Sequence, residues 1–145
     1  MTEQSVMVIV AALVNFFIGG FWYSLFKKRW LEAWELDEAD INRKDPAPYL
    51  IAFIGSLWCS YGLFLVLKHI QPKDLSELFA IAIGLWLFIF VGMGAKHYAF
   101  SQRKLSAFLI DYGLDLVGII VMCGLLWRVY WFELNSKFAD GYSQV

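Results

Sequence analysis

Four long apolar runs decide what this chain can become. They cover residues 5–26, 49–69, 78–98 and 107–131. A helix that crosses a bilayer needs about 20 mostly apolar residues, and each run supplies them. The runs are continuous rather than alternating, and too few to close a barrel, so membrane strands are excluded. Hydrophobic residues make up 60% of the 145 positions and aromatics 19%. An average soluble chain has roughly 45–50% apolar residues. A soluble domain this small would expose large apolar patches, whereas lipid lets the same side chains face outward. The reading is an all-α integral membrane bundle of four transmembrane helices, one domain over residues 1–145.

The N-terminus does not read as a cleavable signal. Met1-Thr2-Glu3-Gln4 has no basic residue, no small-residue cleavage site follows the first run, and Lys27-Lys28-Arg29 comes after it. A net charge of −1 gives no electrostatic case for nucleic acid. The implied partners are the lipid bilayer and either a second copy or a larger membrane complex. Cys59 and Cys123 sit inside apolar runs without metal-ligand spacing, so both read as packing residues. No cofactor or metal is implied. There is no G-x-S-x-G, H-E-x-x-H, P-loop or G-x-G-x-x-G motif, so nothing specific points to an enzyme.

The connections are unequal. The first, 27–48, is the only sizeable polar stretch. Trp30, Leu31 and Trp34 recur in it at helical spacing, which predicts a short interfacial helix anchored by the indoles. Asp37 is placed to cap a further turn through Arg43, with Asp40 at the third position. Pro46 and Pro48 end that segment. The second and third connections, 70–77 and 101–106, are short, and residues 133–145 form a polar tail. Lys27, Lys28, Arg29, Arg43, Lys44, Arg103 and Lys104 lie in the first and third connections, with Lys96 close by. Lys68, Lys73, Arg128 and Lys137 fall on the other side. This bias puts the first and third loops in the cytoplasm and both termini outside.

Helices in lipid associate through small residues and polar contacts. Ala11, Asn15, Gly19 and Trp22 share a face of the first helix. Gly55, Cys59 and Gly62 share one of the second. Asp111, Asp115, Gly118, Met122 and Leu125 share one of the fourth. The third helix is looser: Gly84, Val91 and Ala95 share a side, and Gly92 and Gly94 weaken its end. Gly19, Gly55, Gly62 and Gly118 are the expected points of close approach. Trp22, Tyr23, Trp30, Tyr98, Tyr130 and Trp131 suit the aromatic belts at the interfaces.

Asp111 and Asp115 are the sharpest signal. Four residues apart, they share a helix face, and Asp115 lies roughly 12 Å inside the fourth run. A carboxylate at a helix centre costs on the order of 2.5–3.5 kcal/mol on insertion scales. The short third connection makes helices three and four an antiparallel hairpin. Its register sets Gly94 level with Asp111 and Phe90 level with Asp115. Lys96 and His97 then fall within about a turn of Asp111. A Lys96–Asp111 pair tying two helices together is one expectation. A site for a cation, proton or polar ligand formed by Asn15, Lys96, His97, Asp111 and Asp115 is the other. Asn15 also reads as a hydrogen-bonding residue of the bundle.

The segment Ala11-Ala12-Leu13-Val14-Asn15-Phe16-Phe17-Ile18-Gly19-Gly20-Phe21-Trp22-Tyr23-Ser24 resembles the domain-of-unknown-function 1761 family. So do Trp30-x-x-x-Trp34-x-Leu36, the acidic turn with Pro46-x-Pro48-Tyr49, and Leu109-Ile110-Asp111-Tyr112-Gly113. The resemblance covers most of the chain. It implies a small four-helix protein of a bacterial-type inner (plasma) membrane, and no activity. It also implies Asn in many members where this chain has Asp111.

Three functions stay open: a structural, accessory or oligomeric bundle; a proton- or cation-coupled transporter or channel subunit using the Asp pair; and a membrane enzyme acting on a lipid-like substrate. A closed lateral pocket lined by the polar residues, with an ordered lipid-like ligand, is the feature expected of the third.

Overall fold

The computed structural model describes residues 3–42 and 44–142, with side chains through Arg128 except that of Asp40. The first span is α1, Glu3–Trp34, and the second is α2, Ala47–Ile70. The third is built from α3 (Leu75–Leu85), a π-helical segment (Trp86–Val91) and α4 (Gly92–Ser101). The fourth begins α5, Leu105–Tyr142, whose backbone stays helical through 133–142. Among the described residues, four helices are long and apolar enough to cross a membrane. No strand occurs among the described residues. Large apolar side chains cover the outside: Phe17 is 68% exposed, Trp58 75%, Phe88 79% and Phe100 90%. Only a lipid solvent makes such a surface favourable, and the protein is a membrane protein.

The first helix does not stop at residue 26. It runs through Lys27, Lys28 and Arg29 to Trp34, so Trp30, Leu31 and Trp34 extend it. Thirty-two residues at about 1.5 Å each make roughly 48 Å, well beyond a hydrocarbon core of about 30 Å. Its last turns therefore project past the apolar zone. Glu35 ends the helix in the left-handed conformation, φ 56°, and the Leu36 N–H donates to the Leu31 carbonyl at 3.1 Å, closing the helix end. The short helix of the first connection is one 3-10 turn, Glu38–Asp40. The Asp37 carboxylate accepts the Ala39 N–H at 3.2 Å there. Arg43, expected to close that turn, lies outside the described residues. Asp74 caps α3 by accepting the Glu77 N–H at 2.9 Å.

The bundle has two unlike ends. Near the N-terminus of α1, the packing is apolar. Val8, Ala11, Leu63, Leu67, Leu78, Ala82, Ile119, Met122, Cys123 and Leu126 form one buried cluster. The buried Ser60 hydroxyl donates to the Val8 carbonyl at 2.9 Å, and the Trp127 indole to the Pro72 carbonyl at 2.9 Å. The packed face of α2 is Ser56, Ser60, Leu63 and Leu67. It is turned about 100° from the face of Gly55, Cys59 and Gly62, because Ser56 and Ser60 are small and also find hydrogen-bond partners on α1. A Cβ on Gly55 or Gly62 would meet nothing within 4 Å.

At the other end, α1 leaves α2 and follows α5. The α3–α4 span meets α5 at Gly94, where a Cβ would stand inside the Tyr112 phenol. This is the close approach of the hairpin, near the level expected for it. Tyr112 is fixed in turn by stacking on Phe108 at 4.3 Å. Gly94→Ala is expected to lower stability by about 1–3 kcal/mol through overpacking. Gly62→Ala, which meets no neighbour, is expected to leave stability unchanged or raise it by up to about 1 kcal/mol from helix propensity. Reversible unfolding in mixed micelles, with both variants beside the parent, checks the pair.

Candidate functional site

Tyr23, Trp30 and Trp34 are spaced by seven and four residues, so they project from one face of α1. That face lies on the start of α5, and its donors converge on Asp111. The Tyr23 hydroxyl and the Trp30 indole N–H donate to Asp111 Oδ1 at 3.0 and 2.9 Å. The Trp34 indole N–H donates to Oδ2 at 3.2 Å. On either side, the Trp22 indole donates to the Ile110 carbonyl at 3.0 Å and the Trp86 indole to the Tyr112 carbonyl at 2.8 Å. Four indoles and a phenol thus end on three consecutive residues. Trp22 fits because residue 113 is glycine: a Cβ there would stand 3.2 Å from its ring.

The third connection secures the same end. Arg103 donates to the Trp34 carbonyl at 2.8 Å, lies 5.6 Å from the centre of the Trp34 ring and is 3.8 Å from the Glu35 carboxylate. Lys104 donates to the Glu32 carbonyl at 3.1 Å. These carbonyls belong to the last turn of α1, where intrahelical partners run out and a positive charge is favoured.

Between α1 and α2 lies a cavity of about 1110 Å³. The two helices touch at Asn15–Ser56, with the Asn15 amide donating to the Ser56 hydroxyl at 3.0 Å, and at Phe16–Phe53, whose ring centres are 5.9 Å apart. Beyond that point α1 follows its donors to α5, and the gap opens. Asp115 lines the cavity from α5, Phe90 from the π-helical segment, and Cys59 from α2. Exposed Phe17, Gly20, Tyr49 and Ala52 also line it, so the cavity opens sideways between α1 and α2.

The expected cluster is therefore divided. Asn15 and Asp115 share the cavity. Asp111 belongs to the indole latch. Lys96 and His97 are exposed, and neither forms an ion pair or hydrogen bond with Asp111 among the described residues. Gly94 takes the contact with α5, which turns Lys96 about 200° away, and the donors of α1 occupy the carboxylate. Gly118 makes room for Asn15, whose Oδ1 a Cβ would overlap, and Gly19 stands 3.8 Å from Leu114 by the same measure. Gly55 borders the cavity. Trp22, Tyr23, Trp30 and Tyr98, assigned to interfacial belts, all donate within the protein. The side chains of Tyr130 and Trp131 lie outside the described residues. No group of three or more His, Cys, Asp or Glu stands together to hold a metal ion among the described residues. The signal that would have found the latch is the common face of Tyr23, Trp30 and Trp34.

Replacing Asp111 by alanine leaves three donors without an acceptor, which is expected to cost about 1–3 kcal/mol. Asp111→Asn keeps one acceptor oxygen and is expected to cost less. Trp30→Phe is expected to cost least of the three, because it leaves the carboxylate with two donors. Chemical unfolding of the three variants in micelles checks the order.

No curated protein and no solved structure matches this chain. One family does, over residues 6–127, and its description is "Protein of unknown function (DUF1761)". The chain belongs to that family.

Proposed function

We propose that this protein is a membrane-embedded binding protein for an amphipathic molecule that enters sideways from the bilayer. The carrying observation is the cavity between α1 and α2, which opens on the lipid-facing surface and reaches Asp115. Its volume of about 1110 Å³ slightly exceeds the roughly 300–1,000 Å³ of ordinary ligand sites. Its wall is mostly apolar, with Asn15, Ser56 and Asp115 as polar groups at its inner end. That combination suits a molecule with an apolar chain and one polar head. A carboxylate at this depth is costly and marks a functional site before a structural one.

The proposal includes an orientation. Arg103 and Lys104 close the end of α1 that carries Lys27, Lys28 and Arg29, so this basic end faces the cytoplasm. Both termini then lie outside. The second connection, where Lys73 stands, lies outside as well.

Two measurements test this reading. Gly55 lines the cavity and nothing lies within 4 Å of its Cβ position, so a phenylalanine there is expected to fill part of that space. Protein purified in mild detergent is expected to carry an amphipathic molecule visible by native mass spectrometry, and Gly55→Phe is expected to lose it. An equal load in both would remove the cavity from the reading. For the orientation, Gln102→Cys in intact cells is expected to resist an impermeant maleimide, while Gln71→Cys is expected to react.

A further inference from the structure

The polar groups around the cavity identify the head of its ligand, an inference that rests on the binding reading above. The Asn15 amide donates to Ser56. The Tyr23 hydroxyl and the Trp30 indole donate to Asp111. The Ser24 hydroxyl donates to the Gly20 carbonyl at 2.7 Å, and Lys27 is paired with Glu38. These donors all line the cavity, and each is engaged within the protein. Asp115 is the reverse case: a carboxylate on the cavity wall with no hydrogen bond or ion pair among the described residues. The Ser56 and Tyr49 hydroxyls line it as well, but no cation is paired with Asp115 among the described residues, so the wall holds an acceptor and a negative charge that a cationic donor would match.

We infer that the cavity takes a single-chain amphiphile with an ammonium head, its N–H groups donating to Asp115 and its chain leaving between Phe17 and Tyr49. An ammonium supplies both donors and opposite charge, and a charge-assisted bond of this kind is roughly twice as strong as a neutral one. A hydroxyl head supplies the donor without the charge, and a carboxylate head repels. Phe16, Tyr23, Trp30 and Phe90 border the same space, and aromatic surroundings favour a cation over an anion. Lys27 does not cancel the field of Asp115, because Glu38 neutralises it.

The experiment compares three probes of equal chain length: dodecylamine, dodecanol and dodecanoate. Binding is measured to the full chain in phosphatidylcholine nanodiscs, with protein-free nanodiscs subtracted and radiolabelled dodecylamine as the competitor. Saturable amine binding is expected, tighter than either other probe by about tenfold or more. Asp115→Asn is expected to bring amine and alcohol to equal affinity, and Asp115→Glu to keep the preference. Glu38→Gln, on the exposed first connection, frees the Lys27 charge. It is expected to weaken the amine and strengthen the carboxylate probe. This second variant tests the charge argument without altering the inner wall.

Saturable binding without preference for the amine would overturn the head-group assignment and leave the cavity reading standing. A preference that survives in Asp115→Asn would overturn it as well. No saturable binding of any probe, with none lost in Gly55→Phe, would overturn the cavity reading and the assignment together.

Discussion

A half-buried carboxylate on a packed helix face is stabilised by the donors it collects, and Asp111 collects them from one face of one helix. Tyr23, Trp30 and Trp34 reach it from α1. Three donors on one carboxylate, each charge-assisted, hold the two helices together more firmly than a single neutral bond would. Much of the architecture follows. The first helix keeps its helical form past three basic residues because Trp30 and Trp34 have an acceptor to meet. Arg103 and Lys104 then find the exposed carbonyls of its last turn. The first and third connections are joined by the same device.

The latch also accounts for the cavity. A helix held to α5 along its second half cannot remain against α2. Asn15 and Ser56 mark where the two part. Below that point, the apolar cluster closes the bundle by ordinary packing. Above it, polar contacts hold α1 aside and leave Asp115 facing a space instead of a neighbour. The two aspartates share a face and a helix, yet one accepts from three donors and the other from none among the described residues. Their difference arises from what α1 presents at each level: indoles and a phenol opposite Asp111, and Gly19 with the already engaged Asn15 near Asp115.

The four spans were legible because length and apolarity are properties of single segments, which need no partner to be read. The face of α1 running through Ala11, Asn15, Gly19 and Trp22 was legible for a similar reason, since small and polar residues stand out against an apolar helix. What failed to show was relational. Lys27-Lys28-Arg29 read as a helix end, because nothing local says that Trp30 and Trp34 have an acceptor about 80 positions later. Lys96 looked like the partner of Asp111 by charge and level, but charge does not reveal which way a side chain turns. In α2 the glycines drew attention as the slimmest residues, while Ser56 and Ser60, nearly as slim and able to hydrogen-bond, took the contact. The cavity depends on how two helices diverge, which no single segment encodes.

The order of the latch along the chain bears on how the protein is made. Tyr23, Trp30 and Trp34 precede their acceptor by 88, 81 and 77 residues. Synthesis from the N-terminus therefore delivers the donors of α1 to the membrane long before Asp111 emerges. Until then, the three donors lack the carboxylate that they share in the finished bundle. Arrival of the fourth span supplies the carboxylate, and Arg103 and Lys104 enter with it. Completion of this end of the bundle is thus tied to insertion of its last helix, and a chain truncated before residue 111 carries a first span without the acceptor for these donors.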